Sequence, residues 1–206
     1  SKLMRIYDLI HSRRGYTPAD TGRIISTTTD IGTGAAQESR LVLYNGRIME
    51  MFRSSPENET NYAETLNTIR NAVPAEVGMY SMLIPTQLEF CDASVAGVQD
   101  SEKEAIDHIN SKLSDNIKTV DVYSRVQEEW QNDSYLYYLT DHHWNMNGAY
   151  CGYEAFAKAL GIKPIMRDKY TYHETGSFFG SWYQKAKSEL SPDQPQDICF
   201  YYDTAE

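Results

Sequence analysis

The feature that most constrains this chain is an alternation of apolar runs and amphipathic stretches between residues 77 and 160. Val77-Gly78-Met79-Tyr80-Ser81-Met82-Leu83-Ile84 is an apolar run closed by Pro85-Thr86, the pattern of a strand covered on both faces. Ser101 to Leu113 predicts a helix. Ser101 can cap it, Glu104 completes a capping box, and Ile106, Ile109 and Leu113 share a face. Ile117 to Val122 predicts the next strand, with Val120 and Val122 on one face and Asp121 opposite them or at the frayed end. Ser124 to Trp130 predicts a short helix, and Tyr135-Leu136-Tyr137-Tyr138-Leu139 a third strand. Asn147-Gly148 opens a helix carrying Tyr150, Tyr153, Ala157 and Leu160; Gly161 ends it and Pro164 follows. Such alternation favours an α/β fold in three layers, a mostly parallel sheet with helices on both faces.

The flanks add less regular pieces. Asn45-Gly46 sits between Leu41-Val42-Leu43-Tyr44 and Arg47-Ile48-Met49-Glu50-Met51-Phe52, and both turn residues tolerate positive φ, so an N-terminal hairpin is expected. Residues 1 to 40 are a poorly defined arm: a short helix over Arg5 to Ile10, then Gly, Thr and Ser with loop chemistry or a weak strand. After a polar loop from Ser54 to Glu59, Tyr62, Leu66, Ile69 and Val73 recur at helical spacing, and Pro74 closes that helix. Beyond Pro164 the alternation stops. Thr175 to Tyr183 predicts a Gly-punctuated aromatic loop, and Cys199-Phe200-Tyr201-Tyr202 one more strand.

Composition narrows the partners. A net charge of −10 without a Lys/Arg-rich run argues against nucleic acid or an anionic membrane surface. No apolar run approaches the roughly 20 residues needed to cross a bilayer, and no signal peptide is visible. Three cysteines, Cys91, Cys151 and Cys199, lack C-x-x-C spacing; one bridge and a thiol, or three thiols, are both open. The 16 tyrosines offer flat apolar faces with polar tips, suited to sugars and equally to a Tyr-rich core.

Chemistry concentrates in Thr140-Asp141-His142-His143-Trp144-Asn145-Met146-Asn147-Gly148, between the third strand and its helix. In an extended segment Asp141 and His143 share a face, with His142 opposite. An acid beside a histidine can hold one ring proton and leave the other nitrogen as a base, two thirds of a serine-hydrolase triad. Strand ends are where α/β sheets place their sites. A metal site, as in a metal-dependent phosphoesterase, is a rival: Asp141, His142 and His143 are competent ligands, but histidines pointing apart allow at most two of the three on one ion, with His173 or Asp121 as a third ligand, and residues 1 to 40 lack the acidic pairs such enzymes need. A structural role is the other: Asp141 as a turn cap, the histidines bonded to carbonyls, Trp144 in the core.

Tyr137 to Tyr150, continuing through Tyr153, Glu154 and Phe156, resembles the signature of the bacterial DHHW proteins. Tyr80 to Thr86 resembles that family's central strand, and Phe179 to Lys185 its Gly-Thr-x-Tyr-x-Lys stretch. The family is similar to SGNH-type hydrolases of the alginate O-acetyltransferase group. The resemblance implies an SGNH- or flavodoxin-like domain over residues 41 to 206, Asp141 as orienting acid, His143 as general base, and no cofactor or metal. It also implies export to a bacterial cell surface, with a membrane anchor outside this chain, and a polysaccharide or other hydroxylated acceptor. Tyr138, Trp144, Trp182 and Tyr183 are the aromatics expected to meet it.

One departure stands out. In that group the serine nucleophile follows the Asp-x-His motif on a later strand, and no such turn occurs before Glu206. Ser177 and Ser181 match no nucleophile turn, Ser81 lies inside a strand, Ser134 precedes one, and no Gly-x-Ser-x-Gly is present. The expectation is therefore a domain incomplete at its C-terminal end, inactive by itself, or a protein that binds glycan or peptide without reacting.

Overall fold

A computed structural model describes residues 22–30, 36–190, 192 and 194–204. The short helix expected over Arg5 to Ile10 lies outside them. Three strands, β1 (Arg23–Asp30), β2 (Ala36–Tyr44) and β3 (Arg47–Glu50), form an antiparallel sheet in that order. The β2–β3 turn is the expected one, with φ of 48° at Asn45 and 72° at Gly46. Alternation along this hairpin buries both faces. Leu41, Leu43 and Ile48 face Trp182 and Ala186, while Val42 and Met49 face Leu88 and Val95.

Helix α1 (Pro56–Ala72) starts at the cap Ser55, whose hydroxyl accepts from the Asn58 amide. Its buried side is not the expected apolar one. Tyr62 and Ile69 are 45% and 46% exposed, and Glu59, Ala63 and Arg70 are buried. Polar groups win here because most of their atoms are paired: Glu59 accepts from Ser54, the Ser55 amide and His108, and the two terminal nitrogens of Arg70 donate to the carbonyls of Val73, Pro74 and Val77 beyond the helix end, leaving its Nε without a partner.

The α/β centre follows. Strand β4 (Met79–Ser81) pairs in parallel with β5 (Ile117–Thr119). Between them lie a single helical turn α2 (Ala93–Ala96) and α3 (Glu102–Ser111), capped by Ser101 as predicted. Helix α4 (Val122–Trp130) is capped by Asp121, and α5 (Met146–Leu160) ends on Gly161 at φ 72°. Helices α4 and α5 cover a core of Val120, Val122, Val126, Leu136, Tyr137, Cys151 and Ala155.

Two readings of the sequence need correcting. Tyr135–Leu139 makes no third parallel strand, only an isolated antiparallel bridge from Tyr137 to Trp144. Its backbone groups go to scattered partners instead of one neighbouring strand: the Tyr135 carbonyl to the Asn145 and Asn147 side-chain amides, the Leu139 N–H to Asp197, the Leu139 carbonyl to the Ile48 amide, and the Tyr138 N–H to the His143 carbonyl. The parallel part of the sheet is thus the β4–β5 pair. The expected aromatic loop is instead the end of β6 (Tyr170–Phe178), a turn at Phe179-Gly180, and the start of α6 (Ser181–Ala186). Strand β6 pairs antiparallel with β7 (Asp197–Thr204), and a bulge at Glu174–Gly176 absorbs a glycine at φ 147°. The described cysteines are all free thiols, and no helix among the described residues is long and apolar enough to cross a membrane.

Candidate active site

The signature divides into a buried half and an exposed half. Asn145 caps α5: its side-chain oxygen accepts from the amides of Asn147 and Gly148, and its own amide donates to the Tyr135 carbonyl. Asn147 reaches the same carbonyl and accepts from Tyr202 on β7. Trp144 packs into the α4–α5 core. A Cβ on Gly152 would stand 2.5 Å from the Trp144 ring, and one on Gly148 would stand 2.3 Å from the Leu136 carbonyl, so glycines at both positions let the helix dock.

Thr140 is the junction. It is fully buried and uses every polar group on partners distant in sequence. Its amide and hydroxyl donate to Asp197, its hydroxyl accepts from the Gly180 amide, and its carbonyl accepts from Trp182 and Tyr183. Asp197 also accepts from Leu139 N and Tyr135 OH. Burial pushes the Asp197 carboxyl up, against these hydrogen bonds. No short motif marks Asp197, which sequence reasoning missed.

Held by that junction, Asp141 presents its two oxygens to two different partners. Oδ1 accepts from the His143 amide at 3.0 Å and faces His143 Nδ1 at 2.6 Å. Oδ2 accepts from the Ser181 amide and hydroxyl, each at 2.8 Å. Burial alone would raise the Asp141 carboxyl, but the hydrogen bonds from Ser181 and His143 outweigh it and hold it well below the usual carboxylate range. Asp141 is mostly shielded, while the His143 side chain is 67% exposed. A deprotonated, oriented acid thus holds one nitrogen of an accessible imidazole, the arrangement of an acid–base pair.

The expected placement of His142 is wrong. The segment bends instead of extending, so the two imidazoles lie together, with ring centres 3.9 Å apart. His142 Nδ1 is 3.6 Å from Asp141 Oδ1, and its ring rests on Trp182 at 5.4 Å. Ligand atoms of Asp141, His142 and His143 therefore fall within 4.8 Å of one another, against the expectation that at most two could converge. Both Asp141 oxygens are already filled by four donors, however, so an ion would have to displace the His143 contact. The further ligands considered are engaged elsewhere: Asp121 caps α4, and His173 stacks on Tyr201.

Of the aromatics expected at the substrate, Trp182 is buried under His142 with Lys185 over its ring. Tyr138 meets Phe178 edge-on, and Tyr183 stacks on Phe179 at 3.8 Å. These pairs flank Gly180-Ser181, whereas Trp144 faces the core. Among the serines, Ser181 Oγ donates to Asp141, Ser177 donates to Gln196, Ser81 is buried on β4, and Ser134 accepts from Arg47.

The family model described as DHHW protein matches residues 18–205. This chain belongs to the DHHW family. A DHHW family protein from Eubacterium siraeum DSM 15702 superposes with a TM-score of 0.67 at 23% identity, over 88% of this chain and 58% of that one. Bacillus cereus PatB1 superposes at 0.60 with 17% identity, covering 81% of this DHHW chain and 59% of PatB1. PatB1 with a sulfonyl adduct gives 0.56, 16% identity, and 87% and 58% coverage. At these identities the likeness is one of fold, and the chain spans under two thirds of each neighbour's length. Comparison with curated proteins found no match.

Proposed function

We propose that this DHHW chain carries the acid–base half of an SGNH-like esterase or O-acyltransferase site, with Asp141 orienting and His143 as general base. The carrying observation is the 2.6 Å contact between His143 Nδ1 and Asp141 Oδ1 on an exposed imidazole. With Nδ1 donating, Nε2 is the nitrogen left to take a proton from a hydroxyl, and ionised Asp141 stabilises the imidazolium that results. The nucleophile comes from outside the described residues. The acceptor is a polysaccharide or another hydroxylated molecule at the bacterial cell surface. The aromatic pairs beside Ser181 suit sugar rings, with apolar faces and polar tips.

Turnover of p-nitrophenyl acetate by the protein as the cell makes it tests this reading. Loss of a general base lowers the rate roughly 100- to 10,000-fold, so His143→Ala should fall by that factor. A sulfonyl fluoride is a fitting probe of the nucleophile, since PatB1 is known with a sulfonyl adduct. Turnover unchanged in His143→Ala rejects the assignment. Wild-type protein without turnover favours a non-catalytic glycan- or peptide-binding role.

A further inference from the structure

We propose that Ser181 decides which of two adjacent histidines becomes the base; this rests on the acid–base reading above and deepens it. Asp141 lies within reach of both imidazoles. His143 Nδ1 is 2.6 Å from Oδ1, and His142 Nδ1 is 3.6 Å from the same oxygen. Both are histidines of one tripeptide with rings 3.9 Å apart, so sequence position does not separate them. Occupancy of the carboxylate does. Each carboxylate oxygen accepts about two hydrogen bonds. Oδ1 is filled by the amide and ring of His143, and Oδ2 by the amide and hydroxyl of Ser181.

Ser181 Oγ stands 3.5 Å from His142 Nδ1; its own proton goes to Asp141 Oδ2, so it can only accept from that nitrogen, and a His142 Nδ1–H is drawn to the hydroxyl instead of the carboxylate. Besides His143, the Trp182 ring lies against His142, with the Lys185 ammonium over its face. Removing the hydroxyl leaves Oδ2 one donor short, and His142 Nδ1 is the donor at hand. Asp141 would then divide between two imidazoles and no longer hold His143 alone. Ser181 is thus a positioning residue. Its backbone anchors survive side-chain changes, because the amides of Gly180, Ser181, Trp182 and Tyr183 bond Thr140 and Asp141 independently of its hydroxyl.

Long-range proton–nitrogen NMR of histidine tautomers tests this on the chain itself, at about pH 9, above the ordinary histidine range. His142→Gln and His143→Gln assign the signals. In wild type, both rings should carry a proton on Nδ1, that of His143 bonded to Asp141 and that of His142 to Ser181 Oγ. In Ser181→Ala, the His142 Nδ1–H signal should move downfield as it reaches Asp141 and that of His143 upfield as it loses sole hold of the carboxylate, and Ser181→Thr, which keeps the hydroxyl, should restore the wild-type pattern. Unchanged Nδ1–H shifts in Ser181→Ala overturn the proposal, as does a wild-type His142 that carries its proton on Nε2. A wild-type His143 without Nδ1–H removes the acid–base pair itself, and this role with it.

Discussion

Replacing Asp197 by alanine tests how far the Thr140 junction beneath Asp141 is held from outside the signature. Asp197 is fully buried at the start of β7 and accepts from Leu139 N, Thr140 N, Thr140 Oγ1 and Tyr135 OH. Two of these donors can adapt. The hydroxyls of Tyr135 and Thr140 can rotate about their C–O bonds toward another acceptor. The amides of Leu139 and Thr140 cannot move, and neither residue is exposed to water. Each orphaned buried donor costs about 1–3 kcal/mol, so Asp197→Ala should lose about 4 kcal/mol. Native domains hold only roughly 5–15 kcal/mol in total. With a urea slope of about 2 kcal/mol per molar, the midpoint should fall by about 2 M. Asp197→Asn keeps one accepting oxygen and should lose about half as much. Urea unfolding followed by tryptophan fluorescence and near-ultraviolet circular dichroism gives the midpoint. A loss below about 1 kcal/mol, no more than an average substitution, would refute the argument.

Two other perturbations probe the same junction. Gly180 has an ordinary φ of −77°, but a Cβ there would stand 2.5 Å from Asp141 Cβ and 2.6 Å from the Thr140 carbonyl. Overpacking of this kind costs about 1–3 kcal/mol, so Gly180→Ala should melt earlier and lose the His143 Nδ1–H signal; wild-type behaviour in both would show that the turn yields. Asp141 gives a pH dependence. Its folded carboxyl lies below the unfolded value, so the stability it contributes is present above about pH 4 and is lost as pH falls through the folded value. The gap in urea midpoint between wild type and Asp141→Asn should hold from neutral pH to about pH 4 and narrow below it; a gap that widens in acid contradicts the assignment.

What could be read from the sequence was local. The Asn45-Gly46 turn, the Ser101 cap and the Gly161 stop each depend on neighbours within a few residues, and each formed as expected. The Asp141–His143 pair belongs to the same class, since the contact spans two residues. Misreadings arose where distant groups compete for the backbone. Tyr135–Leu139 has the composition of a strand, but scattered partners, Asp197 and two asparagines among them, take its hydrogen-bonding groups. The stretch from Thr175 to Phe178 looks like a loop until β7 supplies a partner. The stacking of His142 on His143 depends on a bend that no residue spacing announces.

The division of the signature into a buried and an exposed half bears on how genetic lesions would look. Loss of Asn145, Asn147 or Trp144 removes a helix cap, a tie to Tyr202 or core volume, so the phenotype would be scarce protein cleared by quality control. Loss of His142 or His143 touches only exposed rings and would leave normal amounts of protein lacking whatever the imidazoles do. A screen scoring only outcome would merge the two classes and make all the signature residues seem equally chemical. Scoring abundance alongside outcome would separate them.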